Sequence, residues 1–352
     1  MDSSGYFLDT PGEPLQHRSL VLPDPGNGEV LVEVRACGLC HTDLSFADGS
    51  VAPRHALPLI LGHEITGRVV DAANDARDWV GRSVLIPAVL PCGACEFCRA
   101  GRGNACPDQK MPGNDLNGGF AQHLLVPAAA LVSLEDAPDG FNLDDLAVVA
   151  DAVSTAYQAV LRSGLEAGDL AIVIGAGGVG GFVIQIARAL GARVAACDID
   201  TQRLEVVSEL GAEVTLAVAG MEPRAVRKSL RQATAEWGIP SLKLRIFECS
   251  GSAPGQLLAF TLIDRASTYV QVGFTPEKVP LRLSNLMAYD ATVHGTWGCP
   301  PEAYPAVLDL IYRGEMKLAP FIEHAPMSSL NSLLDDMAHH RLSKRMILHP
   351  ES

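Results

Sequence analysis

Three groups of residues in this chain have the types and spacing to do chemistry. The first is PCGACEFCRAGRGNACPD, which sets Cys92, Cys95, Cys98 and Cys106 apart by two, two and seven residues. Four thiolates so spaced can close a tetrahedron around zinc and leave no open position, which makes the site structural. CxxCxxC also occurs in iron–sulfur proteins, but the seven-residue gap departs from the ferredoxin run. The second group is IVIGAGGVGG, where Gly175, Gly177 and Gly180 satisfy GxGxxG around Gly178 and Val179. Glycines there allow a tight turn, backbone approach to a pyrophosphate and close helix–strand packing, and the helix N-terminus offers free N–H groups. The third group is dispersed: Cys40 in CGLCHTDL, His63 in LGHEITG and Asp151 in VVADAVSTAYQAV. Thiolate, imidazole and carboxylate are competent zinc ligands, and three of them leave a fourth position for water or substrate, the mark of a catalytic zinc.

Each group also has a plainer reading. A glycine-rich turn need not bind anything, although here a strand precedes it, a helix follows, and Asp198 lies 18 positions beyond Gly180. A carboxylate there can bond the adenosine ribose and would repel a 2′-phosphate, which favours NAD over NADP. Arg203 could soften that preference or simply lie on the surface of the next helix. An HE pair on a surface turn is usually structural, and Asp151 could be a helix N-cap, with Ser154 or Thr155 as substitutes. The metal reading therefore needs its three segments together.

The elements that must position these groups differ along the chain. EVLVEVRA alternates apolar and polar residues behind the turn-rich PDPGNG, as a half-buried strand does, and EITGRVVDA and WVGRSVLIPAVL repeat the style. From about Asp151, helix and strand patterns alternate: STAYQAVLRSG, LAIVIGAG, GGVGGFVIQIARALG, RVAACDID, TQRLEVVSELG, KLRIFECSG and STYVQVGF. That alternation predicts a parallel sheet covered on both faces. Two helical stretches and a closing strand, RMILHP, complete the chain, which shows no internal repeat.

Composition narrows the class. With 352 residues, 48 % hydrophobic and 19 % charged, the chain can bury one large or two ordinary cores. A net charge of −14 argues against a nucleic-acid or anionic-membrane partner. The N-terminal residues lack a secretory pattern. Nine cysteines, an odd number with four clustered, read as a metal protein of the reducing cytoplasm rather than a disulfide framework.

The motifs GLCHTD, GHE with Gly67, the four-cysteine lobe, GGFAQH, GAGGVG, ECSG and the final KRMIL together resemble the zinc-containing medium-chain alcohol dehydrogenase family across nearly the whole chain. The resemblance implies a GroES-like catalytic domain (1–152 and 290–352, with the zinc lobe at 92–106) and a Rossmann NAD-binding domain (153–289), with a cleft between them. It implies a catalytic zinc on Cys40, His63 and Asp151, with Glu64 able to swing onto the metal during ligand exchange. It makes Thr42 the group that takes the alcohol proton and Asp43 the partner that orients His63. It brings His41 and Arg345 to the cofactor pyrophosphate, and implies a homo-oligomer, dimer or tetramer. Two positions depart from many members. Asp151 stands where cysteine is common, and Ser45 stands where some members carry a relay histidine.

The segment from Arg282 to Glu323, together with ADAVSTAYQ, resembles the 6-hydroxycyclohex-1-ene-1-carbonyl-CoA dehydrogenases of anaerobic benzoyl-CoA degradation. That likeness implies a cyclic hydroxyacyl-CoA substrate in aromatic degradation, with Trp297 and Cys299 either lining a ring-sized pocket or packing the core. A polyol or other secondary-alcohol dehydrogenase is the alternative. A zinc-dependent hydratase adding water to a dienoyl-CoA, and a cofactor-binding protein without chemistry, are alternatives of other classes.

Overall fold

Glu29–Gly38 is the longest strand of the chain, and the first of two units is built on it. The computed structural model describes residues 1–351. One unit comprises Met1–Ser154, Gly298–Tyr312 and Phe321–Ser352, and the other Thr155–Trp297 and Arg313–Pro320. Glu29–Gly38 pairs antiparallel with Glu64–Ala72 on one side and with Arg345–His349 on the other, so that Gly38 faces Glu64 and Ile347. The sheet continues through Ser83–Ile86 to Val132–Ser133, and through Arg345–His349 to Ile322–Pro326. Simple alternation underdescribes the central strand. Leu31 is buried along with Val30, Val32 and Val34, because both faces are covered, one partly by the 3-10 helix Leu143–Ala150.

The second unit is a six-stranded parallel sheet. Its strands are β1 Leu170–Ile174, β2 Arg193–Asp198, β3 Val214–Ala217, β4 Leu244–Glu248, β5 Thr268–Gln271 and β6 Thr292–Gly295. They lie in the order β3-β2-β1-β4-β5-β6, all parallel. That is the Rossmann order, in which ligands bind outside the carboxyl ends where the winding reverses, here beyond β1 and β4. The four inner strands carry the buried runs that periodicity finds. The edges β3 and β6 alternate between half-buried and exposed, and give no such signal. β6 also moves the boundary expected at 289/290: residues 290–297 belong to this second unit, because Thr268–Gln271 hydrogen-bonds to Thr292–Gly295. No helix among the described residues is long and apolar enough to cross a membrane.

The turn after β1 has no room for side chains. Gly175 has φ +90°, and a Cβ on Gly180 would sit 1.7 Å from the Gly175 carbonyl oxygen. The helix Gly178–Ala189 can therefore start only this close to the strand end with glycine at both places. Gly180→Ala should push the helix off the turn and lower the stability of this unit by about 1–3 kcal/mol, read as a fall in Tm.

Candidate active site

Cys40 is the N-cap of the short helix His41–Ala47, with extended backbone at φ −115° and ψ 155°. Its N–H donates to Asp43 Oδ2 at 2.9 Å, so the third helical residue fixes the cap from which the thiol projects. The other oxygen of Asp43, Oδ1, accepts from the Gly62 N–H at 3.1 Å and lies 3.2 Å from His63 Nδ1. With its proton held there, His63 turns Nε2 the other way. Nε2 is 3.6 Å from Asp151 Oδ2, and that oxygen is 3.7 Å from Cys40 Sγ.

Asp151 follows the 3-10 helix Leu143–Ala150 directly. The Ala150 carbonyl is held by the hydroxyl of buried Tyr304 at 2.6 Å and by the Ala88 N–H at 3.1 Å. Asp151 precedes the helix Ala152–Arg162, and its Oδ2 lies towards Cys40 and His63. Ser154 donates to the carbonyls of Ala150 and Asp151.

One ligand atom each from Cys40, His63, Glu64 and Asp151 lies within 4.8 Å of the other three. Tetrahedral zinc with bonds of about 2.0–2.3 Å would separate its ligand atoms by about 3.3–3.8 Å, close to the distances seen. His63 Nε2 and Glu64 Oε2 are buried with no hydrogen-bond partner, a costly state for polar atoms that nothing coordinates. Burial pushes the His63 pKa down, yet Asp43 and Asp151 carry it well above the ordinary value. Such a surplus of negative groups is what a divalent cation compensates. The residues fit a metal.

Glu64 Oε1 accepts from Arg345 Nη1 at 2.7 Å and from the Ala152 N–H at 3.3 Å. Burial raises its carboxyl to about 7, against the opposing pull of Arg345. A Cβ on Gly38 would lie 2.1 Å from Glu64 Oε2, so the strand pair can hold this carboxylate only with glycine there. Thr42 Oγ1 is 3.8 Å from Cys40 Sγ, while His41 is exposed at the start of the helix. Ser45 donates to the His41 carbonyl and presents no second imidazole.

In the lobe, Cys95 caps the short helix Glu96–Arg99. Sulfur separations are 3.4 Å for Cys95–Cys98, 3.7 Å for Cys95–Cys106 and 3.9 Å for Cys92–Cys98. These are far too long for disulfides and match the edges of a ZnS₄ tetrahedron, about 3.8 Å.

In the second unit, Asp198 ends β2 and accepts from the N–H groups of Ala176 at 2.6 Å and Asp200 at 2.9 Å. Nothing in the protein fills the space a Cβ on Gly177 would take except the Arg203 guanidinium, 3.6 Å away. Arg203 thus reaches over the turn, half-buried, instead of pointing to solvent from its helix. The space beside Gly177 suits the backbone approach that a pyrophosphate requires.

Sequence reasoning missed Glu248. It is fully buried at the end of β4, where Oε1 accepts from the Ser250 N–H at 2.8 Å and from the Ser250 hydroxyl, and Oε2 from Gln271 Nε2 at 2.8 Å. This carboxylate ties the loop after β4 to the last residue of β5. The β4 loop in turn meets the glycine turn, since Ser250 Cα is 2.7 Å from where a Gly175 Cβ would be. ECSG in the sequence showed a motif, but no pattern showed that its first residue ties a loop to a strand end.

Residues 26–136 match the alcohol dehydrogenase GroES-like domain, and residues 178–313 match the zinc-binding dehydrogenase family. The chain is 29 % identical over 337 residues to an alcohol dehydrogenase of Geobacillus stearothermophilus, covering 95 % of each. It is 29 % identical over 356 residues to an NAD-dependent alcohol dehydrogenase of Sulfolobus acidocaldarius, covering 96 % of each. Among solved structures, galactitol-1-phosphate dehydrogenase from Escherichia coli matches with a TM-score of 0.87 at 25 % identity, over 99 % of this chain and 100 % of that one. With both of its units matched, the chain belongs to the zinc-containing medium-chain alcohol dehydrogenase family.

Proposed function

We propose that the chain oxidises a secondary alcohol of the simple or polyol type to a ketone with NAD, or runs the reverse reaction. The observation that carries this is the convergence of Cys40, His63, Glu64 and Asp151 on one point. Cys40, His63 and Asp151 would hold the catalytic ion and Cys92, Cys95, Cys98 and Cys106 the structural one. Bound there, zinc supplies Lewis acidity towards an alcohol oxygen, and NAD supplies the hydride acceptor.

The chain's own residues do the rest. Thr42, beside the Cys40 thiolate, takes the alcohol proton. Asp43 keeps the His63 lone pair aimed at the ligand set. Glu64 has one oxygen on Arg345 and the other unbonded, so a small rotation brings it to the ligand set during exchange of product for substrate. With Ser45 in place of a relay imidazole, a ribose hydroxyl of bound NAD with water, or another histidine, would supply the way out for the proton that Thr42 takes. In the second unit, Asp198 would accept from the adenosine ribose hydroxyls, and the N–H groups of Gly178, Val179 and Gly180 would hold the pyrophosphate with Arg203 as a cationic partner. Free thiols in the lobe suit a cytoplasmic enzyme.

The names of the relatives support simple alcohols and sugar alcohols. Nothing at Trp297 or Cys299 favours the cyclic hydroxyacyl-CoA: Cys299 is 1 % exposed, a core residue, and Trp297 is 54 % exposed. The polyol class therefore ranks ahead of it. Screening NAD reduction against secondary alcohols, polyols and cyclic hydroxyacyl-CoA thioesters tests the order. Turnover confined to the thioesters, or hydration of a dienoyl-CoA without NADH change, would overturn it.

Metal analysis should find about two zincs per chain. Cys40→Ala should retain only the lobe zinc and lose turnover, whereas Thr42→Ala should retain both and lose about 10²–10⁴ in kcat. Glu248→Ala removes the fully buried acceptor that Ser250 and Gln271 share, so calorimetry should show a loss of about 1–3 kcal/mol in stability. Fluorescence titration of the same variant should show weaker NAD binding with little change in kcat at saturating cofactor.

A further inference from the structure

The strands Ile322–Pro326 and Arg345–His349 run side by side and parallel at one end of the first unit's sheet. Each carries a histidine on the same side, His324 and His349, whose rings meet edge to edge with centroids 5.1 Å apart and planes 23° from parallel. His324 Nδ1 lies 2.8 Å from His349 Nε2. The outer nitrogens face acceptors. His324 Nε2 is 3.0 Å from Asp145 Oδ1, and His349 Nδ1 is 3.1 Å from the Arg35 carbonyl oxygen and 3.6 Å from Asp144 Oδ2.

The acceptors outside the pair each call for a proton on the outer nitrogen, since neither a carbonyl nor a carboxylate donates a hydrogen bond. The inner nitrogens then face each other across 2.8 Å, a gap that one shared proton or a metal cation fills. A carboxylate or carbonyl on the far nitrogen is also the arrangement that sets the tautomer of metal-bound histidine.

We propose that His324 and His349 form a second, peripheral metal site for a late first-row divalent cation such as Zn²⁺, Cu²⁺ or Ni²⁺, with water completing its shell. Imidazole nitrogen suits these ions. Two bonds of about 2.0–2.1 Å at the tetrahedral angle need the nitrogens about 3.3 Å apart and both rings turned towards a common point, a rotamer adjustment for side chains that are 36 % and 32 % exposed. Asp144 and Asp145 offset the added charge. A cation here joins both strands, through the Asp145 contact, to the 3-10 helix that runs into Asp151.

The zinc-loaded, full-length enzyme titrated with Cu²⁺ and read by electron paramagnetic resonance tests this. The expected result is a signal split by two imidazole nitrogens at the first micromolar equivalent, weakening about tenfold per pH unit on acidification as a proton takes the gap. His324→Asn and His349→Asn should each weaken binding at least tenfold with alcohol turnover and Tm unchanged, and a His339→Asn control should bind as the parent does. A Cu²⁺ signal that persists in the double variant, or a pair that shares a proton and takes up no Cu²⁺ at micromolar concentration, overturns the proposal.

Discussion

The carboxylate of Asp43 makes three contacts and is fully buried. It accepts the N–H of Cys40 and the N–H of Gly62, and it meets Nδ1 of His63. Those contacts join the start of a helix to a loop some twenty residues further on, and they do so around a charge that could not stay buried without them. Cys40 and His63, the two side chains of the N-terminal segment proposed to hold the catalytic ion, take their direction from it. The thiol projects from a cap that Asp43 closes, and the imidazole presents Nε2 because Asp43 holds the opposite nitrogen. The proposed metal centre would depend on that one group holding its position.

The second unit solves a different problem with the same economy. Its glycine turn must come close enough to a strand end for the next helix to start almost on top of the Gly175 carbonyl, and it must leave the space beside Gly177 open. Glu248 supplies the rigidity, since its carboxylate gathers donors from the loop after β4 and from the end of β5, and that loop packs on the turn. In each unit a buried acid bonded to a backbone N–H holds a loop beside a candidate site.

Much of this is legible in the sequence. The four-cysteine lobe and the glycine turn are local, so spacing along the chain is nearly spacing in space, and both arrange themselves as the motifs predict. The buried strands of the parallel sheet announce themselves as apolar runs. What the sequence leaves open is what depends on long-range contact. The pairing of Glu64 with Arg345 spans 281 positions and arises from strand register around Gly38. The role of Tyr304 in anchoring the residue before Asp151 comes from a segment that returns to the first unit late in the chain. Arg203 reads as a surface cation on a helix, and only the fold brings it over the glycine turn. The edge strand at residues 292–295 pairs on one side only, so it lacks the apolar signature of its neighbours, and the boundary drawn beside it shifts.

The central claim is that Cys40, His63 and Asp151 bind one zinc ion. Anomalous diffraction at the zinc edge from crystals of the purified enzyme measures this directly. Two peaks per chain are predicted, one at the four-cysteine lobe and one about 2.0–2.3 Å from Cys40 Sγ, His63 Nε2 and an Asp151 carboxylate oxygen. A zinc-replete enzyme with no peak among those three side chains would contradict it.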